Sequence, residues 1–123
     1  MKFWLMMAAL NGFIAVAAGA FAAHGLDGRV DARALAAFDT GARYHMFHAL
    51  ALLAVAWLAS LGALPATTVA GWAFVLGILL FSGSLYYYGL TEARTLVMLT
   101  PLGGVAFLAG WAGLVWAAIS LPK

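Results

Sequence analysis

The chain has 123 residues, of which 67% are hydrophobic and 8% charged. A soluble domain carries about 25% charged residues, so this composition excludes a hydrated globule. Six Lys/Arg against four Asp/Glu form no basic cluster or stripe, which excludes a nucleic-acid binder, and the lack of cysteine removes disulfides, Cys-ligated zinc, iron–sulfur ligation and thiol nucleophiles.

Apolar runs of about 20 residues, the length that crosses the hydrocarbon core, recur along the chain. Four fit, at about 3–23, 44–64, 70–90 and 96–120. They leave no room for a separate soluble domain, so the expectation is one all-α, polytopic membrane domain over 1–123.

The first run follows Lys2 and contains Ala20-Phe21-Ala22, the small-x-small form of a signal cleavage site. It is longer than a signal h-region and three more spans follow, so it is expected to be retained. Ala8/Gly12 and Ala15/Gly19 are small-xxx-small pairs that let another helix approach closely. Asn11 is the one strongly polar side chain in this run, suited to an interhelical hydrogen bond or, less simply, a ligand contact.

The stretch His24 to Arg43 holds most of the charge. His24-Gly25-Leu26-Asp27-Gly28 reads as a turn, with two glycines able to take positive φ. Asp31 then reads as an N-cap, with Val30 and Leu35 as a hydrophobic staple. Arg29/Arg33 and Asp39/Arg43 are i,i+4 neighbours. A short amphipathic helix at the membrane interface, about 31–41, is therefore expected between the first two spans, with Gly41 ending it or bending it into the second.

The second span opens Arg43-Tyr44-His45-Met46-Phe47-His48. His48 lies about a turn inside the apolar run and needs a partner; an ionisable group at membrane depth is either functional or hydrogen-bonded to a neighbouring helix. Pro65-Ala66-Thr67-Thr68 reads as a short loop joining an antiparallel hairpin. In the third span Ser82-Gly83-Ser84 makes a closely approachable polar patch, for helix packing or facing His48, and Tyr86, Tyr87 and Tyr88 fall where an aromatic belt belongs. Glu92 and Arg94 occupy the third loop. Thr100-Pro101 reads as an N-cap and first-turn proline, unless the helix starts near Leu96 and kinks. Gly103, Gly104 and Gly110 give the fourth span a close-packing edge. The longer loops, 24–43 and 91–95, hold Arg29, Arg33, Arg43 and Arg94, whereas the ends hold only Lys2 and Lys123. The positive-inside rule puts those loops in the cytoplasm and both termini outside.

Laid out in this order, the chain resembles the domain of unknown function 423 family of small membrane proteins, which includes YgdD-like and transmembrane-protein-256-like members. The matching segments are Gly19-Ala20-Phe21-Ala22-Ala23-His24-Gly25-Leu26, Tyr44 with Phe47-His48-Ala49-Leu50-Ala51, Leu80-Phe81-Ser82-Gly83-Ser84-Leu85-Tyr86, and Thr100-Pro101-Leu102-Gly103-Gly104 with Phe107-Leu108-Ala109-Gly110-Trp111. His24 and His48 stand at motif positions and His45 does not, so the resemblance favours the first two as functional. It implies an integral, inner-membrane protein and supplies no activity.

Three functions are weighed. A structural or accessory protein would use Gly12, Gly19, Gly83, Gly103, Gly104 and Gly110 to pack against itself or a larger membrane complex, with lipid as its other partner. A small oligomeric transporter or channel would rely on a polar cluster drawn from Asn11, His24, His48, Ser82, Ser84, Tyr86 and Thr100, but no carboxylate falls inside a span. A metal or haem site would use His24 and His48 on opposite sides of an iron, without a recognisable ligand spacing. The expectation is a non-enzyme with no cofactor and no catalytic residue.

Overall fold

The computed structural model describes residues 1–62 and 64–122. Four helical rods are long and apolar enough to cross a membrane: α1 (Lys2–Leu26), α2 (Ala32–Ser60), α3 (Pro65–Thr91) and α4 (Leu99–Ser120). No strand occurs among the described residues. The helices alternate in direction, so the links after α1 and α3 share one end of the bundle. Lys2 and the α2–α3 link lie at the other; Lys123 is outside the described residues.

The interfacial helix expected at 31–41 is not a separate element. Asp31 does cap a helix, its Oδ1 accepting from the Ala34 N–H at 2.7 Å, but that helix runs unbroken for 29 residues through Gly41 to Ser60. Gly41 does not end it and is instead a close-packing position: a Cβ there would stand 3.1 Å from Leu85 Cβ and 3.3 Å from the Ser82 carbonyl oxygen. A helix of that length is about 43 Å long, against a core of about 30 Å. The excess of about 13 Å is the length of the turns that carry Arg33 and Asp39, and Asp39 accepts from Arg43 one turn further on at 2.9 Å.

Two other boundaries shift. Pro65-Ala66-Thr67-Thr68 is the first turn of α3, not a loop, with Pro65 at a position where its missing N–H costs nothing. Helix α4 starts at Leu99, so Thr100 is not its N-cap. Pro101 sits in the first turn and no kink results, since the N–H groups there lack intrahelical partners anyway. Two π-helical turns modify the rods: Ala22–Leu26 finishes α1, and Ile78–Ser82 interrupts α3.

α1 lies against α2, α4 lies against α3, and α2 and α3 form the inner pair. The central core gathers Leu52, Val55, Phe74, Ile78 and Phe107 around Trp4 and small alanines. At one end Ala22, Leu26 and Phe38 form a second cluster, joined by Val30 and Leu35 of the capping segment. There Glu92, held at φ 59°, accepts from the Asp31 N–H at 2.7 Å, tying the third link to the start of α2.

Candidate functional site

Polar side chains within the spans gather at two histidines, both on α2 and both buried. They lie three positions apart on one broad face of α2, yet bond to different neighbours. His45 faces α1 and the C-terminal half of α3; His48 faces α4.

His45 joins three helices. Its Nε2 lies 2.8 Å from Asn11 Oδ1 on α1, and its Nδ1 lies 2.8 Å from the Tyr86 hydroxyl on α3. Asn11 Nδ2 donates to the Met7 carbonyl at 2.8 Å, which fixes the amide so that Oδ1 faces the ring. A carboxamide oxygen only accepts, so Nε2 carries the proton and Nδ1 accepts from Tyr86. The bonds run in one direction, from Tyr86 through His45 and Asn11 to the Met7 carbonyl.

His48 holds the opposite tautomer. Its Nδ1 donates to the Tyr44 carbonyl at 2.7 Å, and its Nε2 accepts from the Trp111 indole N–H at 3.1 Å. Its ring stacks on Phe107 with centroids 3.5 Å apart and planes within 3°. Phe74 and Trp111 flank it, and Phe74 meets Trp111 edge-on. An apolar box with one donor and one acceptor therefore surrounds a neutral imidazole. Neither histidine presents a free lone pair or an unshared N–H.

The remaining expected residues do not converge on His48. Ser82 is buried and donates to the Gly41 carbonyl at 2.8 Å. The π turn that ends at Ser82 accompanies this close approach of α3 to α2. Ser84 donates to the Phe81 carbonyl at 2.9 Å and pairs with the Thr100 hydroxyl of α4. The polar face expected opposite His48 is thus divided between two other contacts. His24 lies exposed in the π turn, without a hydrogen-bond partner among the described residues. Tyr86 turns inward to His45, leaving the exposed Tyr87 in the belt position.

The packing glycines separate in the same way. A Cβ on Gly103 would strike the Phe81 backbone, and one on Gly110 would strike the fully buried Phe74 ring. At Gly12 the nearest neighbour is Ala49 Cβ at 4.0 Å, and at Gly83 it is the Ile78 carbonyl oxygen at 4.0 Å. Nothing lies within 4 Å of the equivalent position on Gly19 or Gly104, so neither makes the close contact expected of it within this chain.

Sequence reasoning missed His45, Trp111 and the close contacts of Gly71 with Trp4 and Gly77 with Phe107. The signal available for His45 was its own place at the start of the second apolar run, where a polar ring needs a partner as His48 does; residues three apart share a helical face, so the spacing does not tell their partners apart. The tryptophan carried no distinguishing pattern.

A family model described as Protein of unknown function (DUF423) matches residues 18–104. The chain is 47% identical over 120 residues to the UPF0382 membrane protein YwdK of Bacillus subtilis, covering 97% of this chain and 98% of that one. It is 45% identical over 115 residues to a UPF0382 membrane protein of Haemophilus influenzae, covering 94% and 92%. With the UPF0382 inner membrane protein YgdD of Escherichia coli it shares 40% identity over 128 residues, covering 99% and 93%. No solved structure matches.

Proposed function

The chain belongs to the DUF423 family of membrane proteins, and on that premise we propose that it is a non-catalytic accessory component that works by packing within the bilayer. One observation carries this reading. The polar groups inside the spans are engaged with each other: Asn11 with His45 and Tyr86, His48 with Tyr44 and Trp111, Ser82 with Gly41, and Ser84 with Thr100. Among the described residues, the single buried side-chain polar atom without a partner is Thr67 Oγ1, in the first turn of α3. A translocation path needs polar groups facing a passage, and a nucleophile needs a base and an orienting group within reach. Here the hydrogen bonds close on themselves, which is how polar residues join helices in lipid.

The outer surface fits the same role. Phe13, Val16, Leu108 and Ile119 are among the large apolar side chains left outside, and Gly19 and Gly104 leave notches in that surface. The bilayer, a second copy or a larger complex can cover it. Purified protein in sealed vesicles tests the reading, with ion and proton flux followed alongside crosslinking in cells. Flux should equal that of empty vesicles, and crosslinking should capture a reproducible partner or a homo-oligomer. Flux abolished by His45→Phe would overturn it.

A further inference from the structure

At the end of the bundle that joins α1 to α2 and α3 to α4, the charges formally balance. Arg29, Arg33, Arg43 and Arg94 stand against Asp27, Asp31, Asp39 and Glu92. What differs is how they are engaged. Asp39 pairs with Arg43. Asp31 and Glu92 both turn to backbone N–H groups at the start of α2, accepting from Ala34 and Asp31 at 2.7 Å each. Arg29, Arg33 and Arg94 are exposed and have no ion-pair partner among the described residues.

These three are also close in the chain to one point. Arg29 and Arg33 each lie two residues from Asp31, and Arg94 lies two residues from Glu92, whose carboxylate bonds Asp31. Two residues span at most about 8 Å of backbone, so the three arginines branch from the chain around a single clasp. Arg29 and Arg94 lie in the links between membrane-spanning helices and Arg33 in the first turn of α2, the height at which such helices meet lipid head groups.

We infer that Arg29, Arg33 and Arg94 form a docking rim for the phosphates of anionic phospholipids. Guanidinium matches phosphate in a bidentate, charge-assisted geometry, and juxtamembrane arginines are drawn to anionic lipid. Charge complementarity selects this occupant: three of the four local carboxylates are held by the fold, leaving only the exposed Asp27 to compete for the three arginines, and phosphates are the anions present at that height. The surface goes beyond the packing role and does not depend on it.

The test reconstitutes the full chain in vesicles of equal phosphatidylglycerol and phosphatidylcholine, re-extracts it in mild detergent and measures the lipid retained. Phosphatidylglycerol should be enriched. Each Arg→Gln change should lower the ratio by up to about fivefold, and R29Q/R33Q/R94Q should bring it near unity. Asp27→Asn should raise it, and Lys2→Gln, at the opposite end, should leave it unchanged. About 1 M salt, which shortens screening to about 3 Å, should erode the enrichment in the unmodified chain, a readout that needs no variant to fold. A wild-type ratio of unity, a triple variant that keeps the wild-type ratio, or insensitivity to salt would overturn the inference. Complete displacement by inorganic phosphate would overturn the lipid assignment in favour of a free anion.

Discussion

His45 rather than His48 is the residue whose loss leaves most behind. Replacing it with Leu strands the Asn11 oxygen and the Tyr86 hydroxyl on two other helices, both inside the bundle. Replacing His48 strands only the Trp111 indole, because the Tyr44 carbonyl already sits in the helical ladder of α2. Interhelical hydrogen bonds in membranes contribute about 0.6–2 kcal/mol. His45→Leu should therefore lower stability by about 1–2 kcal/mol in denaturing-detergent titration, and by more than His48→Leu. Adding Asn11→Leu and Tyr86→Phe to His45→Leu should recover much of the loss, since removing all partners together leaves no orphaned polar group. A triple variant less stable than the single one would count against the network. The sequence exposes the polarity of these residues but not their pairing. Asn11, His45 and Tyr86 lie 34 and 41 positions apart, and no local periodicity relates positions on three different helices. The weight on His24 rests on motif resemblance and that on His48 also on its depth in the apolar run, and neither shows what the ring touches.

Between elements, the decisive quantity is backbone approach, and two adjacent glycines measure it. Gly103 meets the Phe81 backbone, which cannot rotate away, whereas Gly104 faces open space one position further round α4. Gly103→Ala should thus separate α4 from α3 and cost about 1–3 kcal/mol, as overpacking does. Gly104→Ala should be neutral or stabilise by about 0.5–1 kcal/mol through helix propensity. Unfolding of the two variants in parallel checks the difference, and equal effects would mean that α4 is not seated on Phe81. Helix identity was legible because four apolar runs of membrane length leave few alternatives. Boundaries were less so. Gly41 looks like a helix end in sequence, but in the fold it is the place where α2 meets Leu85 and Ser82. Small residues announce that something comes close without saying what, which is why Gly103 and Gly104 read alike.

For the molecule as a whole, an even number of spans places both chain ends on one side of the membrane, whichever way it inserts. The direction of insertion follows from charge. Arg29, Arg33, Arg43 and Arg94 gather at the end that holds the first and third links, and Lys2 stands at the other. Positive residues in short loops resist translocation, while acidic ones contribute little, so the balancing aspartates and Glu92 do not cancel the bias. Both termini should accordingly lie outside and the two linked ends in the cytoplasm. Reporter fusions active only outside the cytoplasm should work at either end of the chain and fail when inserted between Asp27 and Arg29. Removing charge should weaken the preference in proportion: R29Q/R33Q/R94Q leaves Arg43 against Lys2 among the described residues, and should yield a mixed population. Fusions reporting opposite sides for the two termini would remove one of the four spans from the bilayer. The polar circuits at His45 and His48 would then need to be reconsidered in water, where such bonds compete with solvent.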